Sequence, residues 1–159
     1  MERSSKREEK SESSLCLSSA LLILRSGDNT RRMLREKLER KGFSKESVEY
    51  AIERVCAAGL INEERLFTRY AQYLAEKKCL GPIRVRQEIA RRFDKEIVEM
   101  MIADALAEID FSSIAQRVAE KQKNRDMDFT VRKLRRLGFY TEHIRYAVKM
   151  IRNNFTEEA

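Results

Sequence analysis

The 159-residue chain has no tryptophan, one histidine, one proline, five glycines and three cysteines. Each shortage excludes something. So few glycines leave no phosphate-cradling loop and no dinucleotide-binding fingerprint. Cys16, Cys56 and Cys79 are odd in number, far apart and not in CxxC spacing, which argues against a disulfide framework or a zinc site. They read instead as small apolar side chains in a reducing compartment, and a cytoplasmic location is expected. His143 alone cannot build a multi-histidine centre, so no metal and no cofactor are expected. No run reaches the ~18 apolar residues of a membrane span, and no membrane partner is expected.

What the chain does have is charge and helical periodicity. Charged residues make up 37% of it, with 33 Lys and Arg against 26 Asp and Glu, a formal net charge of +7. Residues 1–14 are almost all Ser, Lys, Arg and Glu and read as a disordered tail. The apolar run Leu15–Leu24 after a charged start could imitate a signal peptide. Glu2, Glu8, Glu9 and Glu12 in the leader, and Arg25 at the end of the run, favour a helix that packs one face.

No stretch alternates with period two. The glycines stand between periodic segments, as helix-ending residues do. Nine helices are expected, over 15–25, 30–41, 45–58, 63–78, 82–92, 95–108, 111–123, 127–137 and 141–153. Ser44, Asn62 and Thr141 serve as caps. Tyr70 and Tyr73 fall on the apolar stripe of the fourth helix and are expected in the core, with an exposed interface position for one of them as the alternative.

An internal repeat organises the helices. Leu38, Gly42, Phe43, Val48, Tyr50, Ala51, Ile52 and Val55 recur 96 residues later as Leu134, Gly138, Phe139, Ile144, Tyr146, Ala147, Val148 and Ile151. A looser copy lies between them, through Ile89, Phe93, Val98 and Ile102. The expected fold is all-α, with three tandem three-helix repeats over 15–60, 61–109 and 110–155. A trio of this size buries little core alone, so stacked trios form an elongated, curved array suited to a long partner. With capped ends, such an array is expected to be monomeric.

Basic residues concentrate on the second helix of each trio. Arg31, Arg32, Arg35, Lys37, Arg40 and Lys41 are followed by Arg84, Arg86, Arg91 and Arg92, and then by Arg132, Lys133, Arg135 and Arg136. Residues 111–159 alone carry +5. Two readings compete. One is a solvated face laced with i,i+4 pairs such as Arg32–Glu36 and Arg35–Glu39. The other is a stripe that meets phosphates or an acidic protein groove. The last cluster favours the second reading, because only Asp128 lies within helical reach of it. Catalysis finds no support. Ser112, Ser113 and His143 lack an acid or oxyanion partner, and His143 is expected at the surface. Acid pairs such as Glu63–Glu64 and Asp126–Asp128 suit helix N-termini.

The segment Leu60-Ile61-Asn62-Glu63-Glu64-Arg65-Leu66-Phe67-Thr68-Arg69-Tyr70, followed by Gly81-Pro82-Ile83-Arg84-Val85-Arg86-Gln87-Glu88-Ile89, resembles the central motif of the bacterial RecX regulatory proteins. Leu60, Ile61, Arg65, Tyr70, Gly81, Arg84 and Glu88 match that pattern. Asn62 stands where aspartate is usual, and Arg92-Phe93-Asp94 replaces a lysine-glycine-isoleucine turn. The resemblance covers about residues 15–152 and implies tandem three-helix repeats. It also implies a protein that binds the RecA recombinase filament on DNA, lies in its groove and restrains strand exchange and ATP hydrolysis. On this reading Arg84, Arg86, Arg91 and Arg92, with Arg132, Lys133, Arg135 and Arg136, face RecA or the DNA backbone. Asn62, Glu63, Arg65, Tyr70 and Gly81 are structural, with Arg65 as a tie between the first and second repeats. The alternative is a helix-turn-helix-like protein that acts on bare DNA, single- or double-stranded.

Overall fold

The computed structural model describes residues 2–122 and 125–157, with side chains over 11–122 and 125–153. The described residues form nine α-helices and no strand, so the protein is all-α. In chain order they are α1 (Glu2–Arg25), α2 (Arg31–Arg40), α3 (Lys45–Ala57), α4 (Glu63–Gln72), α5 (Pro82–Ala90), α6 (Lys95–Ala107), α7 (Phe111–Glu120), α8 (Met127–Arg136) and α9 (Thr141–Glu157). Short polar side chains start them. Thr30 Oγ1 accepts from the Met33 amide at 3.1 Å, and Asp110 Oδ1 accepts from the Ser113 amide at 3.0 Å. Each satisfies one of the amides that a helix start leaves open.

Three expectations are corrected. First, the tail expected to be disordered continues as helix over residues 2–14, while Met1 lies outside the described residues. No glycine or proline interrupts this stretch. Glu12 also anchors it, accepting from the Ser44 amide at 2.8 Å and the Ser44 hydroxyl at 3.0 Å. Those two donors hold the Glu12 carboxyl below its usual range. Second, Tyr73 is exposed, the alternative rather than the core placement expected for both tyrosines. Its carbonyl accepts from the Lys78 amide at 3.2 Å, five residues on, and Tyr73–Lys77 form a π-helical turn after α4. The wider turn inserts a residue and shifts the apolar stripe onto Leu74 and Ala75, which are buried. Third, His143 is inward-facing, as described below. The expected helix 111–123 ends at Glu120, and Lys123 lies outside the described residues.

The chain divides into two compact units. The first comprises residues up to Leu66 together with Arg92–Asp94. Its core joins Cys16 and Ala20 of α1, Leu34 and Leu38 of α2, and Val48, Ala51, Ile52 and Val55 of α3. Arg92–Asp94 dock on α2 through the Thr30 hydroxyl, which donates to the Arg92 carbonyl at 2.7 Å, and through Arg35, 3.3 Å from Asp94. The second unit comprises Phe67–Arg91 and Lys95 onward. In the first unit α1 packs chiefly on α3, and in the second α7 packs chiefly on α9. The same first-to-third helix pairing therefore recurs at the sequence interval of the repeat. The turns recur too, since Gly42 and Gly138 hold φ of +90° and +86°, a conformation that glycine adopts without a Cβ penalty.

One close approach organises the second unit. The Gly81 amide donates to the Leu137 carbonyl at 2.8 Å, and the Ile83 amide donates to the Gly138 carbonyl at 3.1 Å. The open amides at the start of α5 thus satisfy the open carbonyls at the end of α8. A Cβ on Gly81 would stand 2.3 Å from the Gly138 carbonyl carbon. Two backbones can touch here only because both residues are glycine.

Candidate functional site

The basic residues divide sharply by whether they have partners. In the first unit, three arginines of α2 turn to acids of their own unit, while Lys37 meets the Asn29 side-chain oxygen and Arg40 the Glu36 carbonyl. Arg31 lies 3.3 Å from Glu63, Arg32 lies 3.2 Å from Glu36, and Arg35 lies 2.8 Å from Glu49. The Arg32–Glu36 pair was legible from spacing. Arg35 instead reaches across to α3 and to Asp94, and the Glu49 contact is the first cause that raises its pKa. These bases are internal braces.

In the second unit the arrangement is different. The α8 helix buries Thr130 and Leu134 and turns Arg132, Arg135 and Arg136 outward, with Lys133 half-buried. None of the four forms an ion pair among the described residues. Arg136, Arg135 and Lys133 occupy the last turn, where cations meet the negative end of the helix dipole. Phe129, Arg132, Lys133 and Arg136 line a shallow cleft of about 220 Å³, and the Arg125 guanidinium lies 5.5 Å from the Phe129 ring centre. Arg84 and Arg86 on α5 are exposed and also lack an ion pair among the described residues. The Gly81–Gly138 crossing sets the backbone of Arg84 against Gly138, two residues beyond Arg136. Six of the eight residues expected to meet a partner therefore belong to one unit and have no internal partner.

The other two are placed differently. Arg91 pairs with Glu88 at 3.0 Å on an exposed face. Arg92 is half-buried and donates from Nε to the Met33 sulfur at 3.2 Å, so it braces α2.

The motif residues hold helix starts, one as the spacing indicated and one in a way it did not reveal. Asn62 caps α4 by accepting from the Arg65 amide at 2.9 Å. Glu63, only 7% exposed, accepts from the Arg31 amide at 3.0 Å, so one carboxylate caps the start of α2 from the first turn of α4. Its second oxygen meets Arg31 Nε at 3.3 Å as an ion pair without hydrogen-bond geometry. The tie expected of Arg65 is made by Glu63; the Arg65 side chain is exposed. Glu63→Ala should lower the free energy of urea unfolding by about 2 kcal/mol, since it removes a buried cap and strands the α2 amide. Arg31→Ala should lower it by less than about 1 kcal/mol, because the arginine half of the pair is half-exposed. Equal losses from the two variants would contradict this assignment. Tyr70 is half-buried and stacks on Tyr73, with ring centres 6.4 Å apart.

His143, in the first turn of α9, has 14% side-chain exposure and sits among three rings. Tyr140 is at 5.7 Å, Phe111 at 5.9 Å and Phe139 at 6.3 Å. It is inward because α9 packs on α7, whose first residue is Phe111. Its Nδ1 is buried without a partner, and Glu142 lies 3.7 Å from Nε2. Burial lowers the pKa below 6.5, outweighing the upward pull of Glu142 and Asp110. The unfolded chain therefore binds the proton more readily. This contribution to stability is present above pH 6.5 and is lost as pH falls below it. Melting temperature should drop between neutral pH and pH 5, and His143→Phe should flatten that part of the profile.

Among the described residues, no group of three or more His, Cys, Asp or Glu side chains could hold a metal ion, and no helix is long and apolar enough to cross a membrane.

The comparisons with known proteins agree with one another. Residues 16–54 match the family model described as RecX, first three-helix domain. The chain is 30% identical over 145 residues to the regulatory protein RecX of Syntrophotalea carbinolica, covering 89% of this chain and 94% of the relative. It is 31% identical over 141 residues to the regulatory protein RecX of Actinobacillus pleuropneumoniae, covering 84% and 91%. Among solved structures, RecX from Lactobacillus salivarius superposes with a TM-score of 0.79 at 20% identity, over 89% of this chain and 97% of that one. A second structure of regulatory protein RecX gives 0.80 at 19% identity, over 93% and 77%. These two superpositions establish a shared all-α repeat fold. With its sequence carried at 30% identity along nearly the full length of a curated relative, the chain belongs to the RecX family of regulatory proteins.

Proposed function

We propose that this protein binds the RecA recombinase filament on DNA, in the cytoplasm, and restrains its strand exchange and ATP hydrolysis. The observation that carries this reading is the unpaired cationic surface of the second unit. Arg84, Arg86, Arg132, Lys133, Arg135 and Arg136 have no acid partner among the described residues, whereas Arg31, Arg32 and Arg35 at the start of α2 are paired within the fold. Exposed guanidinium groups held on rigid helices suit an acidic filament surface or the DNA backbone. The repeats at 15–60, 61–109 and 110–155 offer contacts to more than one protomer. Bridging protomers hinders both entry of homologous DNA and the movements that accompany hydrolysis. The protein acts as a binding regulator and supplies no reaction chemistry of its own.

The test is DNA-dependent ATP hydrolysis by a bacterial RecA, titrated with this protein at two salt concentrations. Inhibition should be present at low salt and weaken as salt rises, because charged contacts are screened. An unchanged hydrolysis rate across the titration would overturn the proposal. Tight binding to bare duplex DNA with no effect on hydrolysis would instead favour the bare-DNA reading.

A further inference from the structure

The α5–α8 crossing leaves two large apolar side chains uncovered. Ile83 is 40% exposed at the start of α5, and Tyr140 is 42% exposed just before α9. The Ile83 amide bonds the Gly138 carbonyl, which places Ile83 and Tyr140 on adjoining stretches of backbone. Neither contributes to the buried core of this chain. Arg84 and Arg86 follow Ile83 as exposed residues of α5, and Arg135 and Arg136 are exposed at the end of α8. Two backbone hydrogen bonds tie the crossing at a separation too close for a Cβ on Gly81.

From this placement we infer that the crossing is a docking site for an acidic protein segment that presents an apolar side chain, seated on Ile83 and Tyr140 and held by the surrounding arginines. This inference deepens the proposed function by naming the chemistry of the partner at that surface. The case rests on the mixture of groups. A nucleic-acid backbone is met mainly by charged and polar groups, and an exposed isoleucine adds little to phosphate binding. Protein interfaces instead have an apolar centre with a polar or charged rim, and the energy concentrates on a few aromatic, aliphatic and arginine residues. Charge complementarity selects the acidic sign for the partner. Tyr140 suits the centre because its ring already rests on His143 and loses little freedom on binding.

Two measurements test this. In the first, the probes are synthetic fluorescent peptides rich in Glu and Asp, one with a central leucine and one with serine in its place. The full-length protein should bind the leucine peptide about tenfold more tightly. That preference should vanish in Ile83→Ser, whose side chain lies outside the core, and in Tyr140→Ser, each with an unaltered helical circular-dichroism signal. In the second, the same variants are titrated against RecA hydrolysing ATP on single-stranded DNA, and against a bare oligonucleotide. The concentration for half-inhibition should rise about tenfold while oligonucleotide binding stays within twofold. Equal binding of the two peptides, or unchanged inhibition by both variants, overturns the inference and leaves the proposed function standing. A leucine preference in a protein that does not affect RecA supports the docking site and removes the proposed function.

Discussion

Gly81→Ala is expected to destabilise the second unit by about 3 kcal/mol or more and to lower the melting temperature by roughly 10 °C. The argument isolates one cause. Gly81 has φ of −76°, which alanine adopts freely, so the backbone conformation itself carries no penalty. The added methyl would meet the Gly138 carbonyl carbon and the Phe139 nitrogen, each at 2.3 Å. Both neighbours are backbone atoms and neither can rotate away. The α5 start must then separate from the α8 end, breaking the Gly81–Leu137 and Ile83–Gly138 hydrogen bonds. A built-in comparison is available at Gly42 and Gly138. The two turns share φ near +90°, but a Cβ on Gly42 meets nothing within 4 Å, whereas one on Gly138 stands 2.5 Å from Arg84 Cγ. Gly42→Ala should cost only about 1 kcal/mol, the strain of a left-handed alanine. Gly138→Ala carries the same strain plus the crowding against Arg84. If differential scanning calorimetry returned equal losses for Gly42→Ala and Gly81→Ala, the crossing would not be the constraint described here.

The second large effect is on function. The combined variant Arg132→Glu, Arg135→Glu and Arg136→Glu should raise the concentration needed to inhibit RecA at least about a hundredfold. Each lost contact is worth about 1 kcal/mol, each carboxylate adds repulsion of similar sign, and every 1.4 kcal/mol is a factor of ten. The fold should survive, since these side chains are exposed and form no ion pair among the described residues. Carboxylates at the negative end of α8 cost a few tenths of a kcal/mol each, so a melting temperature lowered by a few degrees is expected. The triple glutamine variant removes charge without that penalty and should give an intermediate loss of inhibition. Arg35→Glu is the contrasting control. It faces Glu49 and Asp94, so it should destabilise the first unit before it alters binding. Inhibition retained by the α8 triple variant would remove that helix from the interface.

Much of the architecture was readable because it is written locally. Ser44, Asn62 and Asp126 announce helix starts, Gly42 and Gly138 announce ends, and the 96-residue echo announces the repeat. What escaped is what depends on partners distant in sequence. Glu63 read as an acid beside its own helix end, yet it caps α2, 32 residues earlier. His143 read as a surface residue because its three aromatic neighbours come partly from the start of α7. Gly81 read as a turn residue, with no sign that Gly138 was its neighbour. The unpaired bases of α8 could be suspected from the lack of nearby acids. That Arg31 and Arg35 of α2 are neutralised by Glu63, Glu49 and Asp94 required the fold.

The segment Arg92–Asp94 has a consequence for how the chain is made. It belongs to the first unit although it follows Leu66 by a full α5, and Phe93 within it is only 1% exposed. During synthesis the amino-terminal helices emerge first, but the aromatic plug of their unit arrives later by roughly a few seconds of translation. Until then the Thr30 hydroxyl lacks its carbonyl acceptor and Arg35 holds Glu49 without Asp94. The amino-terminal unit thus cannot mature ahead of the ribosome's progress into the following segment, and a nascent chain stalled before residue 92 would present an unfinished seat to chaperones and proteases.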